Sequence, residues 1–319
     1  MERRHFLASI IAGSMAAASA KSWAQGASTR IIVGAPPGGG TDTVARSLAK
    51  AMSEIMGTSF VVENRPGAGG NIAASFVANA APDGNTLLLC YTSHAINATL
   101  YPSLPFDPVA DFSPLSYVAS APSILIAHPK FAANTIPELI ELARARPGQL
   151  NIGMPGIGSA GHLAAEVLKL QTGVDIVTVP YKGTAPALND VVAGQIDMMF
   201  AGLALAGNQI KAGHVKALGV SSIKRVGAYP DIVPIAETLP GYDFNAWYGL
   251  LGPAGMDAAR SADIAQAART AMRGAALRER LATEGLIATG STPEEFKAFL
   301  ATEITRWGKV VTESGAKAG

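Results

Sequence analysis

A short apolar strand that runs into a glycine-rich loop and then into a helix recurs along this chain, and no other feature constrains its fold as much. Ile31-Ile32-Val33 reads as a buried strand, 34–40 as a turn, and 42–56 as a helix with Val44, Leu48 and Met52 on one face. Phe60-Val61-Val62, a second glycine-rich loop over 64–70 and a helix over 71–80 repeat the unit, and a third strand over 86–91 ends in the polar turn Thr92-Ser93-His94. A second series opens with a strand over 150–153, a loop over 154–161 and a helix over 162–172. It continues through a strand over 176–179, the turn Tyr181-Lys182-Gly183-Thr184 and a helix over 185–193. Strands that alternate with helices form mainly parallel sheets flanked by helices.

At 319 residues the chain exceeds the roughly 100–200 residues of one ordinary domain. Two α/β lobes are therefore expected, one from 28–122 plus 250–319 and the other from 123–249, joined by two crossings, the return one near 245–252. Hydrophobic residues at 49%, charged residues at 15%, 34 Gly and 20 Pro fit a compact fold with many tight turns rather than a disordered chain. A net charge of +1 without any Lys/Arg-rich run excludes nucleic acid as a partner. A monomer is expected.

Arg3 and Arg4, an apolar stretch over 6–20 and Ser22-Trp23-Ala24 have the build of a secretory signal occupying 1–24. The apolar run is too short to span a bilayer core of roughly 30 Å. The paired arginines before His5-Phe6-Leu7 resemble a twin-arginine signal, which leaves the export route open between that and the general one. Cys90 is the single cysteine, so no intrachain disulfide forms, and its Leu87-Leu88-Leu89 neighbours place it in a core strand.

Both series open with a glycine-rich turn onto a helix: Gly34-Ala35-Pro36-Pro37-Gly38-Gly39-Gly40-Thr41-Asp42, and Gly153-Met154-Pro155-Gly156-Ile157-Gly158-Ser159-Ala160-Gly161-His162. Glycine lets backbone N–H groups approach a ligand, and a helix N-terminus carries about half a positive charge, so such a turn holds an anion without Arg or Lys. Tight β-to-α turning alone also accounts for the glycines. Gly156, Gly158 and Gly161 match the dinucleotide fingerprint by letter, but Asp175 precedes the next strand instead of ending it, so no nicotinamide cofactor is expected. The segment 157–161 has Ile157 where a nucleophile elbow has glycine, and His162 sits on the same helical turn as Ser159; an exported serine hydrolase using Ser159 is the rival reading from another class. His94, His128, His162 and His214 show no metal-ligand spacing, so neither metal nor cofactor is expected. Asp42 is placed to accept backbone N–H bonds and to pair with Arg46 one turn on, or to meet a ligand amine or bridging water.

Taken together, several of these pieces resemble the Bug/TctC family, the periplasmic substrate-binding receptors of tripartite tricarboxylate transporters. They are Pro37-Gly38-Gly39 with Asp42, Ala45 and Arg46; Glu63-Asn64-Arg65-Pro66-Gly67-Ala68-Gly69-Gly70; Ala81-Pro82-Asp83-Gly84; Asp111-Phe112; Gly156 to Ser159 with His162; Pro180-Tyr181-Lys182-Gly183; Gly194-Gln195-Ile196-Asp197; and Arg225 with Pro230. The resemblance implies a two-lobed periplasmic-binding-protein fold, type II-like, whose lobes close on a carboxylate held by backbone amides and ordered water, with no chemistry performed on it. Carried onto this sequence, the ligand-binding candidates are Gly38, Gly39, Gly40, Thr41 and Asp42; Tyr91, Thr92 and Ser93; and Gly156, Gly158, Ser159, His162, Thr184 and Ala201. The segment 230–235 departs from the family's usual Pro-Thr pair, which weakens the transfer near Glu237 and Trp247. Trp247 and Tyr248 either pack at the hinge or stack on ligand.

The resemblance further implies a periplasmic protein that hands its ligand to integral-membrane transporter subunits. Presentation of the ligand to a membrane sensor kinase is the alternative within binding proteins. The ligand class stays open among dicarboxylates, tricarboxylates, acidic amino acids and aromatic acids, with apolar lining from Phe200 or Tyr91 favouring an aromatic ring.

Overall fold

The structure, a computed structural model, describes residues 28–156 and 159–316; the signal segment 1–24 and Gly158 lie outside the described residues. The first sheet has six strands in the order β11-β4-β10-β3-β1-β2. These are β1 (Thr29–Val33), β2 (Phe60–Asn64), β3 (Thr86–Tyr91), β4 (Phe112–Ala121), β10 (Ala246–Pro253) and β11 (Ile287–Ala288). The second sheet has five strands in the order β7-β6-β8-β5-β9: β5 (Ser123–Ala127), β6 (Asn151–Met154), β7 (Val177–Pro180), β8 (Met198–Gly202) and β9 (Lys216–Val220).

The two sheets repeat one plan. β2, β1 and β3 pair in parallel, as do β7, β6 and β8. The strand that arrives from the other lobe, β10 in the first sheet and β5 in the second, inserts antiparallel next to β3 or β8. The following neighbour, β4 or β9, is antiparallel to the inserted strand and so runs with the parallel set. Each sheet is therefore mainly parallel in strand direction, and the parallel strands deliver their loops to one end. Ile31, Ile32 and Val33 are fully buried because helices cover both faces of β1, which suits an unbroken β-branched run. The return crossing is complete by Ala246: seven of the eight residues of β10 are buried, and Trp247 to Gly249 pair within the first sheet.

Ten described helices pack on these sheets, α1 (Gly40–Met56), α2 (Asn71–Ala78), α3 (Ser93–Leu100), α4 (Ile136–Ala145), α5 (Ala160–Thr172), α6 (Thr184–Val192), α7 (Leu203–Lys211), α8 (Ala258–Arg273), α9 (Ala275–Thr283) and α10 (Pro293–Ser314). The polar turn expected at 92–94 is instead the start of α3, whose Ala95, Ile96 and Leu100 face the core. Thr292 and Glu295 form a reciprocal capping box at the start of α10, with Pro293 at the first helical position and Gly315 left-handed after the end.

The lobes share a core. One cluster of buried side chains runs from Ile32 and Phe112 through Phe244, Trp247 and Trp307 to Leu163 and Leu168. At its centre the Glu303 carboxylate, 4% exposed, accepts hydrogen bonds from the indoles of Trp247 and Trp307, both at 2.8 Å. Arg306 bonds the other carboxylate oxygen at 3.2 Å, lies 4.1 Å over the Phe244 ring and donates to the Asp243 carbonyl. Tyr242 donates to the Ala164 carbonyl of α5 at 2.9 Å, so the return segment and α10 hold the second lobe as well as the first. Ser221 ties the two crossings together: its hydroxyl accepts from Ser123 N–H at 2.9 Å, and its carbonyl accepts from Phe244 N–H at 2.9 Å.

Candidate functional site

The glycine-rich loops of the first lobe are built against each other. A Cβ on Gly34 would sit 2.6 Å from the Cα of Gly70, so the loops after β1 and β2 touch backbone to backbone and only glycine fits. Asn64, the last residue of β2, donates its amide to the Ala35 carbonyl and to Asp42 Oδ1, each at 3.0 Å. Asp42 Oδ2 accepts from Gly38 N–H at 3.0 Å and from Arg46 Nε at 2.8 Å. Arg46 beside it, with the Gly38 and Asn64 donors, holds the carboxyl at about 2, below its ordinary 3.8, although burial works against this. Asp42 therefore braces its loop, the first of the two roles read from the sequence, and its carboxylate is buried with both oxygens accepting hydrogen bonds.

Gly38, Gly39 and Gly40 are exposed, and a Cβ on Gly38 or Gly39 would meet nothing within 4 Å. Gly39 provides no side-chain cap to α1, so the N–H groups of Gly40, Thr41 and Asp42 have no partner within the helix. Tyr248 lies beneath: its hydroxyl would be 3.0 Å from a Cβ on Gly40, and Thr41 hydrogen-bonds it. Burial, partly offset by that bond, pushes the phenol up to about 12, so Tyr248 stays neutral as a prop under the loop. Tyr91 donates to the Gly34 carbonyl at 3.3 Å, and Ser93 donates to the Gly69 carbonyl at 2.6 Å. Thr92 is buried, and its hydroxyl accepts from Trp247 N–H at 2.9 Å, which makes it a strut between β3 and β10.

The second lobe presents its loops in the same way. Tyr181 N–H donates to the Met154 carbonyl at 2.9 Å, which joins the loops after β6 and β7. Gly156, Gly183 and Gly202 have open space where a Cβ would stand. Gly183 and Gly202 are the uncapped N-caps of α6 and α7, so the N–H groups around Thr184 and after Ala201 lack partners within their helices. Ala201 itself is buried. Ser159 caps α5 by accepting from His162 N–H at 3.2 Å. His162 is buried with Nε2 4.0 Å from Glu166, and burial holds its imidazole below the ordinary value despite that carboxylate. Phe200 is 3% exposed and packs into the buried cluster.

Gly38 and Gly39 lie on the loop before α1 and Gly156 on the loop after β6, while Gly40, Thr41 and Asp42 form the first turn of α1; Asn64 and Tyr248 support these loops without having been read from the sequence as doing so. Asn64 carried a signal, since it closes a strand inside the Glu63-Asn64-Arg65 segment. Tyr248 carried none, because only the antiparallel return of β10 brings it to residues 40 and 41.

Two mainly parallel sheets joined by two crossings, with loops converging at the strand ends, define a two-lobed solute-binding protein of the periplasmic-binding-protein type. The chain belongs to the tripartite tricarboxylate transporter family of receptors, whose family model matches residues 44–316. It is 34% identical over 291 residues to the protein BugT of Bordetella pertussis, spanning 90% of this chain and 89% of that one. Among solved structures it resembles R. palustris Rpa4515 with adipate, at 33% identity and a TM-score of 0.80, covering 91% of this chain and 98% of that one. It also resembles MatC from Rhodopseudomonas palustris with bound malate, at 33% identity and a TM-score of 0.75, covering 89% and 99%.

Proposed function

We propose that this protein is a periplasmic receptor that captures a small dicarboxylate between its lobes and delivers it to the integral-membrane subunits of a tripartite tricarboxylate-type transporter. The observation that carries this reading is the set of uncapped helix N-termini at α1, α6 and α7, each opened by a glycine whose side-chain direction is empty. N–H groups without intrahelical partners at the positive end of a helix recognise a carboxylate without a charged side chain. A ligand that fills both sets of donors shifts the molecule towards a closed form, because only contacts made in that form reward closure. On this reading 28–122 with 250–319 and 123–249 move as the two lobes, except that β10 travels with the first, and 1–24 is removed on export.

The diacid assignment is supported by the similarity to proteins holding adipate and malate. It is supported as well by the burial of Phe200, which removes one ring that would have favoured an aromatic acid. The Ser159 hydroxyl serves as a helix cap, accepting from the His162 backbone N–H rather than donating to an imidazole, which favours capture over hydrolysis. A thermal-shift screen tests the reading, with dicarboxylates, tricarboxylates, acidic amino acids and aromatic acids set beside their amides and esters. A selective ligand raises the melting temperature by mass action. The reading predicts a rise with a dicarboxylate and none with its diamide; a rise with neutral compounds alone contradicts it.

A further inference from the structure

Along the C-terminal half of α1, where it packs against α8 and α9, lies a groove of 420 Å³. That volume falls within the roughly 300–1,000 Å³ of small-molecule sites. Ala51, Ala271 and Leu277 give it an apolar lining, and Ile55 borders it at 46% exposure.

Polar features converge on the same groove. Ser47 lines it, is 2% exposed, and its buried hydroxyl has no hydrogen-bond partner. A serine within a helix ordinarily returns its hydroxyl to the carbonyl one turn back. Ser53 in the same helix does so, to Ala49 at 2.7 Å, whereas Ser47 does not. Gly274, at φ −65° and ψ 130°, separates α8 from α9 and offers α9 no side-chain cap. The N–H groups of Ala275, Ala276 and Leu277 thus start a helix in the groove without intrahelical partners. Lys50 and Arg280 also line it, and neither makes an ion pair among the described residues; Glu54 is the one acid of the lining.

We propose that this groove is a second ligand site that takes a small amphipathic anion, an alkyl monocarboxylate of medium chain length. The carboxylate lies at the N-terminus of α9 between Lys50 and Arg280, the Ser47 hydroxyl donates to it, and the chain covers Ala51 and Ile55. The site is independent of the proposed dicarboxylate capture, and its test does not depend on that reading.

Octanoate, with 1-octanol as the neutral control, is titrated calorimetrically into the purified protein with and without excess adipate. The proposal predicts one-to-one octanoate binding that adipate leaves unchanged, and octanol binding at least tenfold weaker. Ala276→Trp, at an exposed groove position, fills the site and weakens octanoate at least tenfold; Lys50→Ala with Arg280→Ala weakens it at least fivefold, with melting temperatures preserved in both. Absence of octanoate binding at millimolar concentration, equal affinity for octanol, displacement by adipate, or unchanged binding to Ala276→Trp overturns it.

Discussion

Asn64 donates its side-chain amide to Asp42 Oδ1 at 3.0 Å, so the end of β2 fixes the first turn of α1. The same amide reaches the Ala35 carbonyl, and the carboxylate also holds Gly38 N–H. The charge on Asp42 is thereby spent on the loop.

This arrangement sets a pH dependence. The folded pKa of Asp42, about 2, lies below its ordinary 3.8. The stability it supplies is complete above the unfolded value and is lost as pH falls from about 4 towards 2. Asp42→Asn is expected to remove on the order of 1–2 kcal/mol at neutral pH and to flatten the acid limb of the stability curve. Urea unfolding between pH 2 and 7 checks this, and an unchanged acid limb in the variant would count against the brace.

Gly34→Ala places a methyl group 2.6 Å from the Gly70 backbone, where no side chain can move aside. Overpacking of this kind costs about 1–3 kcal/mol. Because the strain falls on the loops of the candidate site, ligand affinity is expected to drop at least tenfold alongside a lowered melting temperature, read by calorimetry and thermal unfolding.

Glu303→Ala leaves the buried indoles of Trp247 and Trp307 without an acceptor and deprives Arg306 of its partner. A loss of about 3–5 kcal/mol in urea unfolding is expected, and Glu303→Gln, which keeps one acceptor oxygen, is expected to lose less.

Gly285, at φ +71°, belongs to the first lobe, and a Cβ there would stand 2.6 Å from Leu203 Cβ and 2.8 Å from Ala204 N in the second. Gly285→Ala should hold the lobes apart. Small-angle scattering is expected to show a larger radius of gyration than wild type at saturating ligand, together with weaker binding.

The parts of the molecule built from local rules were legible in the sequence. Ile31-Ile32-Val33 before a glycine-rich turn marks a buried strand meeting a helix, and the structure keeps that unit at β1 and α1. The helix α3 was not legible, because Thr92-Ser93-His94 reads as a turn; its hydrogen bonds to the neighbouring loop, from Ser93 and Asn97 to the Gly69 carbonyl, come from residues far along the chain. Tyr248 under Gly40 and Glu303 between two indoles have the same origin. Both contacts exist only because β10 returns to the first sheet and α10 then crosses behind it, and no spacing in the sequence records either event.

The most direct test of carboxylate capture by backbone amides is the amide spectrum of the deuterated, 15N-labelled protein, titrated with the dicarboxylate that the thermal screen selects and with its diamide. The account predicts that the amides of Gly39, Gly40 and Thr41 in the first lobe, with Thr184 and Leu203 in the second, move downfield with the diacid and stay in place with the diamide. Shifts confined to one lobe, or the same shifts with the diamide, would contradict capture between the two lobes.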